Sequence, residues 1–301
     1  MNYKRIIKSR TVRLKILKLL RFIPDKTMLK IQYRIKTGRK LNLNNPKRYT
    51  EKLQWYKVNY RNPLMVTCVD KFEVREYINS IGLSEILIKC FGVYESVEEI
   101  NWNGLPNSFV LKDTLGGGGN SVIIVKDKSK EDFDKIKIQL QKWLREDYQH
   151  KTGGREWPYY SGKKHRIIIE EYIDSNKENG GLIDYKFLCF NGKAELIYVL
   201  ADRVIGQEAG CGFYDIDFNR LPYTEDDEPP LKREIKKPNN FEELKKIAEK
   251  ISKEFPCARI DLYDEEDKII FGEITFFDGS GYMTFTPDQL DFELGEKFKV
   301  Q

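Results

Sequence analysis

Apolar residues recur at helical spacing in the N-terminal part of the chain and at strand spacing after residue 109. The helical pattern predicts one helix near the N-terminus, a second over residues 49–60, and a third that follows Asp70-Lys71 and ends at Gly82. On the first of these helices one face holds the apolar residues Val12, Ile16, Leu19, Leu20 and Ile23. We therefore expect the first 66 residues to be helical.

Strand-like runs dominate the rest of the chain. They predict strands over residues 109–112, 121–125, 167–169, 185–190, 194–200, 258–263 and 269–276. Asn191-Gly192 is a strong hairpin signal between two of these strands. Further helices are predicted over 131–148 and 241–255, and Asn240 with Glu243 is expected to form a capping box at the start of the latter. Since strands and helices do not alternate strictly, the pattern favours an α+β fold.

Charge is distributed unevenly along the chain. The 301 residues carry a formal charge of +5, but residues 1–40 hold fourteen Lys and Arg against one Asp, or +13, so the other 261 residues sum to −8. Charge confined to one end is not typical of a uniformly basic nucleic-acid-binding protein, and we do not expect nucleic acid as a partner. A basic amphipathic segment can bind an anionic membrane surface; the alternative is a pair of solvated helices packed on the rest of the protein.

Several classes of protein are excluded by pattern. No apolar run approaches the roughly 20 residues of a membrane span, and charges at Lys15, Lys18 and Arg21 interrupt the stretch 14–23, so neither a signal peptide nor an anchor is expected. Five widely spaced cysteines without a CxxC pair suit a reduced cytosol. The expected location is cytoplasmic, with peripheral attachment to the inner face of the membrane as the open alternative. GxSxG and GxxxxGK[ST] motifs are absent.

A glycine-rich stretch lies between two predicted strands. Lys112 ends the first strand, and the four consecutive glycines that follow are Gly116, Gly117, Gly118 and Gly119. Such a run exposes successive backbone N–H groups that can cover a polyphosphate, with the lysine adding a positive charge. A flexible hairpin tip is the alternative interpretation.

The predicted C-terminal hairpin carries charged residues inside its strands. Arg259 and Asp261 share one strand face, and Glu273 and Thr275 share a face of the next strand. A carboxylate buried within a strand needs a positive charge close to it. Mg²⁺ is a cation that prefers oxygen ligands and is commonly bound by carboxylates together with substrate phosphates. A solvated sheet face with an ion pair from Arg259 remains open, because the sequence does not determine the register.

Two weaker groups complete the candidates. Asp184 and Lys186 open one predicted hairpin and Arg203 follows its end, while Glu170 and Glu171 end the strand that begins at Ile167. Taken singly, charged residues at strand ends are ordinary.

The order of these groups along the chain is more specific than any one of them. Over residues 67–285 the chain resembles the ATP-grasp superfamily. In chain order the resemblance rests on Asp70-Lys71, Lys112 with its glycines, Ile-Ile-Glu-Glu-Tyr-Ile, Asp-Tyr-Lys, Arg-Ile-Asp and Gly-Glu-Ile-Thr. Three stretches resemble its polysaccharide-associated branch, typified by teichuronopeptide biosynthesis proteins: Asn45–Trp55, Asp70–Arg75 and Phe213–Phe218. The implied fold is an α+β ATP-grasp fold, with a basic segment over 1–66, an N-lobe over 67–173 and a C-lobe over 174–301.

The resemblance also implies residue roles. Lys71 and Lys112, with Gly116–Gly119, would contact the nucleotide phosphates. Adenine would be bound near Glu170, Glu171 and Ile173, and the ribose by Asp184. Lys186 and Arg203 would meet the γ-phosphate and the reacting carboxylate, with Arg259 beside them. Asp261, Glu273 and Thr275 occupy the magnesium-ligand positions, although Asn is usual where Thr275 stands, and the N-terminal segment is shorter and more helical than the usual first domain.

The function implied is an ATP- and Mg²⁺-dependent ligase that joins a carboxylate to an amine through an acyl phosphate. The substrates expected are an amine such as an amino acid and a sugar acid of a cell-surface polysaccharide, free or nucleotide- or lipid-linked. Two alternatives stay open: a kinase on the same fold, and a non-catalytic adaptor at the membrane surface.

Overall fold

The computed structural model describes residues 10–117, 121–145, 153–174, 181–202 and 209–300. Its helices are α1 Arg10–Leu19, α2 Asp25–Thr37, α3 Tyr49–Asn59, α4 Pro63–Cys68, α5 Val74–Ser80, α6 Phe133–Leu144, α7 Phe241–Ser252 and α8 Gln289–Lys297. Its strands are β1 Cys90–Tyr94, β2 Phe109–Asp113, β3 Val122–Val125, β4 Ile167–Glu171, β5 Asp184–Phe190, β6 Lys193–Ala201, β7 Gly210–Tyr214, β8 Thr224–Glu225, β9 Cys257–Glu265, β10 Lys268–Thr275 and β11 Phe285–Thr286.

Contacts group the chain into two compact units. Unit 1 comprises Met1–Arg61, Lys151–Trp157 and Asn176–Gln301, and unit 2 comprises Asn62–His150 and Pro158–Ser175, each as far as its residues are described. The first 61 residues thus group with the C-terminal part of the chain. The three domains expected over 1–66, 67–173 and 174–301 stay a prediction.

Unit 2 is built on a four-stranded antiparallel sheet in the order β1-β4-β2-β3. Helix α6 packs on this sheet through Ile136, Leu140 and Trp143, which join Phe109 and Ile167 in one apolar core. The glycine-rich stretch connects β2 to β3 at the end of this sheet, so the fold of the sheet positions Lys112 and the first glycines.

Unit 1 contains a five-stranded antiparallel sheet in the order β10-β9-β5-β6-β7 and a two-stranded pair of β8 with β11. Helix α7 covers one face of the larger sheet with an apolar side that includes Phe241, Leu244 and Ile251, all essentially fully buried. The ring of Phe241 lies 6.1 Å from that of Phe187 in β5. Antiparallel sheets with helices segregated from them are the α+β architecture that the sequence predicted.

Helix α3 of unit 1 packs against α8. Asp291, completely buried in α8, accepts hydrogen bonds from the backbone N–H and the hydroxyl of Thr50 at 2.9 Å each. Arg48 donates to both oxygens of Asp288, at 2.7 and 2.8 Å. These charged contacts anchor α3 in the unit.

Some expectations about individual elements were wrong. Asn240 does not cap α7 with its side chain, and its Nδ2 holds the amide in another place by donating to Asp264 and to the carbonyl of Asp267. Helix α6 ends at Leu144, before the expected Tyr148, which lies outside the described residues. The apolar face expected on α1 is only partly covered, since Leu19 is 77% exposed whereas Ile16 and Leu20 are half-buried. No helix in the described part of the chain is long and apolar enough to cross a membrane.

Candidate active site

Strand register in unit 1 places four polar side chains in one row across the sheet. Lys186 of β5 pairs with Tyr198 of β6 and with Asp261 of β9, and Asp261 pairs in turn with Glu273 of β10. Because side chains alternate along a strand and Phe187 faces α7, this row lies on the opposite face of the sheet. We call Asp184, Lys186, Tyr198, Arg259, Asp261, Glu273, Thr275 and Asp278 the charged cluster.

A β-bulge makes this register possible. Phe271 pairs with Leu262, but the next pair joins Glu273 to Asp261, so Gly272 is the extra residue. A Cβ at Gly272 would lie 3.0 Å from the Asp261 carbonyl oxygen, which is closer than most Cβ contacts in folded proteins. The bulge lets Phe271 pack in the core while Glu273 joins the polar face. Gly272 was the sequence signal for the bulge, because glycine inside a strand often marks one.

Lys186 lies between two buried carboxylates. It forms an ion pair with Asp261 and lies 2.7 Å from Asp184. Burial and Arg259 act to lower the pKa of Lys186, but the two carboxylates outweigh them and raise it. Burial raises the pKa of Asp184, because it disfavours the charged carboxylate. At Asp261 burial acts in the same direction, but Arg259 and Lys186 outweigh it and lower the pKa. The two carboxylates therefore differ in proton affinity, with Asp261 the more firmly ionised.

Arg259 is the centre of the charged cluster. Its Nε and Nη2 donate to the two oxygens of Asp261 at 2.7 Å each, and Nη2 also donates to Glu273 at 2.8 Å. The hydroxyl of Thr275 donates to the same Glu273 oxygen at 3.3 Å. The structure therefore brings together Arg259, Asp261, Glu273 and Thr275, whose proximity the sequence left undetermined.

Two members of the charged cluster were missed by sequence reasoning. Asp278 accepts hydrogen bonds from Arg259 at 2.5 Å and from the Tyr198 hydroxyl at 2.9 and 3.0 Å. The signal for Tyr198 was a hydroxyl inside an apolar strand, since a buried tyrosine hydroxyl usually has a partner. Asp278 precedes a Gly-Ser-Gly turn, and nothing local in the sequence ties that turn to Arg259.

The composition of the charged cluster fits a divalent cation. Four carboxylates face two cationic side chains, an excess of two negative charges. Within the described ranges no three His, Cys, Asp or Glu side chains are arranged to hold a metal alone. Mg²⁺ commonly takes one or two protein carboxylates and completes its shell with water and phosphate oxygens. Asp261 and Glu273, with the Thr275 hydroxyl, therefore suit Mg²⁺ bound together with a nucleotide.

In unit 2, Lys71 and Lys112 both lie next to the glycine-rich stretch. Lys71 donates from Nζ to the carbonyl of Gly116, and its backbone N–H donates to Thr114 at 2.9 Å. Lys112 forms an ion pair of 2.8 Å with Glu170, which is also 3.4 Å from Arg75. Both predicted phosphate-binding lysines therefore lie at the same loop, Lys112 through its place at the end of β2 and Lys71 through its hydrogen bonds to Thr114 and Gly116.

Buried acids hold this part of unit 2 in place. Asp70 accepts hydrogen bonds from the N–H groups of Phe72 and Glu73, and Arg166 lies 3.0 Å from Asp70. At the base of the loop, Asp113 accepts from the Leu115 N–H and lies 2.7 Å from Nδ1 of His165. His165 is accordingly a structural residue of the loop base.

The remaining predicted residues are placed as follows. Gly116 is buried and Gly117 exposed, while Glu171 is exposed and Ile173 half-buried. Gly118, Gly119 and Arg203 lie outside the described residues.

Comparisons with known proteins place the chain in a family. Residues 51–299 match the TupA-like ATP-grasp family model. No curated protein is similar enough to count as a relative.

Solved structures that resemble the chain share little sequence with it. D-alanine–D-alanine ligase from Bacillus anthracis is 19% identical, with 69% of this chain and 56% of that chain covered and a TM-score of 0.40. The enzyme of that name from Helicobacter pylori is 16% identical, with 83% and 68% covered and a TM-score of 0.44. L-amino acid ligase from Bacillus licheniformis is 14% identical, with 77% and 47% covered and a TM-score of 0.43.

The chain therefore spans little more than half the length of the first of these structures. The family match extends over most of the chain and includes both predicted lysines, the glycine-rich stretch and the charged cluster. This chain belongs to the TupA-like ATP-grasp family and has the α+β fold that its sequence predicted.

Proposed function

We propose that this protein is an ATP- and Mg²⁺-dependent ligase that forms a C–N bond between a carboxylate and an amine. The observation that carries the proposal is the charged cluster. Lys186 and Arg259 lie among carboxylates on one sheet face, where they can neutralise a phosphoryl group and a carboxylate without a nucleophilic side chain.

The reaction proposed has two steps. An oxygen of the substrate carboxylate attacks the γ-phosphorus of ATP, the bond to ADP breaks, and an acyl phosphate forms. The amine nitrogen then attacks the acyl carbon, phosphate leaves, and the amine proton is released. Activation is needed because a carboxylate is a poor electrophile, and phosphoryl transfer depends mainly on positioning and charge neutralisation.

Each predicted site residue has a role in this proposal. Lys71, Lys112 and the glycine-rich stretch bind the nucleotide phosphates. Glu170, Glu171 and Ile173 bind adenine. Asp184 binds the ribose and also forms an ion pair of 2.7 Å with Lys186. Lys186, Arg203 and Arg259 meet the γ-phosphate and the reacting carboxylate.

The metal assignment follows from the donor set. Asp261, Glu273 and Thr275 would hold Mg²⁺, and the ion would neutralise charge on the transferring phosphoryl group. Glu273 is the accessible ligand, with 43% of its side chain exposed, whereas Asp261 is buried against Lys186 and Arg259.

We further propose a sugar acid of a cell-surface polysaccharide as the carboxylate and an amino acid or similar amine as its partner. Family membership and the three stretches that resemble teichuronopeptide biosynthesis proteins support this choice. The sugar acid is free or attached to a nucleotide or lipid.

We also propose that the N-terminal helices contact the cytoplasmic face of an anionic membrane. Leu19 and Phe22 are 77% and 82% exposed, and the exposed lysines Lys15, Lys18 and Lys26 surround them in sequence. Exposed large apolar side chains next to lysines suit the boundary between headgroups and acyl chains. They are less suited to nucleic acid, which is bound chiefly by charge.

The proposed activity is tested by incubating the protein with ATP, Mg²⁺, single uronic acids and single amino acids. We expect ADP and inorganic phosphate in equal amounts and a product whose mass equals the two substrates less one water. ADP without free phosphate, together with a phosphorylated product, would indicate the kinase instead. Bound ATP with no ADP in any mixture would contradict both enzymes.

A further inference from the structure

Helix α3 of the basic N-terminal segment contacts the turn that follows β10. The Gln54 side-chain amide donates to the carbonyls of Ser280 and Gly281, at 3.0 and 2.7 Å. The Lys57 ammonium donates to the Ser280 carbonyl at 2.8 Å and to that of Gly154 at 3.0 Å. Burial lowers the pKa of Lys57 to about 8, because the charged ammonium is costly to bury. The hydrogen bonds to the turn compensate part of that cost.

The turn fits closely against α3. Ser280 and Gly281 have φ angles of +56° and +65°, in the left-handed region that most side chains avoid. A Cβ at Gly281 would lie 2.4 Å from the Gln54 amide nitrogen and 2.9 Å from Leu53. Helix and turn are therefore closely packed against each other.

Asp278 begins this turn and reaches back to Arg259. Its carboxylate accepts from Arg259 Nη1 and from the Tyr198 hydroxyl, and only 7% of the residue is exposed. Asp261 binds the Nε and Nη2 edge of the same guanidinium. Carboxylates at two edges fix both the position and the plane of the guanidinium.

We propose that Asp278 is a positioning residue for Arg259, and that α3 sets Asp278 in place through Gln54 and Lys57. The inference rests on the proposed function, in which Arg259 meets the reacting groups. Without the Asp278 charge, the Nη1 edge keeps only the neutral Tyr198 hydroxyl as an acceptor, at 3.0 Å, so this side of the guanidinium is held less firmly than the side bound by Asp261. A shift of about 1 Å in a catalytic group can reduce turnover about 100-fold.

Kinetics of three variants test the proposal. Asp278→Asn keeps the shape but removes the charge, and Lys57→Met removes the ammonium that holds the turn. We expect both to lower kcat, by about 100-fold and about tenfold, with the KM for ATP unchanged. Asp278→Glu keeps the carboxylate and should retain more activity than Asp278→Asn.

Lys52→Met is the matched control for Lys57→Met. Lys52 lies on the same helix and also donates to two carbonyls, those of Gly295 and Phe298, but it does not contact the turn. Its loss should leave kcat unchanged. Equal losses of kcat in the Lys52 and Lys57 variants, or an unchanged kcat in Asp278→Asn, would overturn the proposal.

A second measurement does not depend on turnover. The side-chain N–H signals of Arg259 in the ¹⁵N NMR spectrum, assigned with Arg259→Lys, should be protected from solvent exchange in the wild-type protein. Asp278→Asn and Lys57→Met should increase that exchange, and Lys52→Met should not. Unchanged exchange in Asp278→Asn would refute the positioning role, whereas failure of the ligase itself would appear as absent ADP release from the wild type.

Discussion

Glu225 on β8 is a half-buried carboxylate close to other acids of unit 1. Burial, with a smaller contribution from Asp278, raises its pKa from 4.5 to about 8. The folded state therefore keeps a proton that the unfolded state releases near pH 4.5. Between these values stability falls as pH rises, because the folded state binds more protons than the unfolded state.

Glu225→Gln should remove this pH dependence. We expect the unfolding free energy of the wild type to fall relative to that of the variant by up to about 1.4 kcal/mol per pH unit between pH 5 and 8. Urea unfolding at unit pH intervals measures the difference. Below pH 4.5 the two proteins should have similar slopes, and parallel curves up to pH 8 would contradict the prediction.

Lys112 supports a prediction about nucleotide affinity. Lys112→Met removes a charge beside the glycine-rich stretch and leaves Glu170 with Arg75 as its partner. Loss of a charged hydrogen bond to phosphate should weaken ATP binding about tenfold or more, measured by calorimetry. Lys130→Met is the control, since Lys130 in the same unit is 79% exposed and pairs with Asp127. Unchanged ATP affinity in the Lys112 variant would remove its proposed role.

At the scale of single residues, the sequence identified several site residues by their type but did not show which side chains they contact. It singled out Arg259, Asp261 and Glu273, because charged residues inside strands are unusual. Asp278 and Tyr198 join them only through folding, since Asp278 is 19 residues from Arg259 and Tyr198 is 61 residues away.

At the scale of elements, β9 and β10 determine how the two proposed metal ligands differ. Both belong to one register pair, but Asp261 is buried between two cations, whereas Glu273 is on the accessible side of the bulge. Asp261 therefore has a structural function, the compensation of two buried cations, in addition to its proposed function as a ligand of Mg²⁺.

Asp261→Asn and Glu273→Gln should accordingly have different effects on stability. Both should reduce turnover by about 100-fold or more, since each removes a proposed ligand of Mg²⁺. Asp261→Asn should also lower the unfolding free energy by about 3 kcal/mol, because it leaves buried cations undercompensated. Glu273→Gln should cost less than about 1 kcal/mol.

Turnover and urea unfolding of the same samples check both expectations. Full activity in both variants would show that the metal assignment is wrong. Equal stability losses would show that Asp261 has no structural function beyond that of Glu273.

Element types were predictable because apolar periodicity is local. The strands expected over 185–190 and 258–263 are present as Asp184–Phe190 and Cys257–Glu265, so the first begins one residue earlier and the second is longer at both ends. The capping box expected at Asn240 is absent, and its Nδ2 instead donates to Asp264 in β9 and to the carbonyl of Asp267 in the following turn. Tertiary contacts of this kind compete with local capping and do not appear in a sequence pattern.

At the scale of the whole molecule, the charge asymmetry leads to a prediction about membranes. The protein should sediment with vesicles rich in phosphatidylglycerol, and this binding should weaken as salt rises. The double change Leu19→Ser and Phe22→Ser should reduce binding about tenfold, because both side chains would lose apolar burial.

Ile138→Ser is the matched control for the vesicle experiment. Ile138 is 53% exposed on α6, so its substitution also removes an exposed apolar side chain, but away from the basic segment. It should not affect sedimentation. Equal binding to phosphatidylcholine vesicles, or full binding by the double variant, would contradict a membrane function. Binding of the protein to nucleic acid, with an affinity that falls steeply as salt rises, would instead indicate nucleic acid as the partner of residues 1–40.

The sequence by itself determined the family, the α+β fold and the order of the lysines, glycines and carboxylates, because residue type and spacing are local properties. Only the tertiary structure decided which of these residues meet. The bulge at Gly272 set the register that joins Asp261 to Glu273, and the turn at Asp278–Gly281 linked Arg259 to α3. These contacts join residues distant along the chain, so they depend on the packing of the whole unit and not on any local pattern.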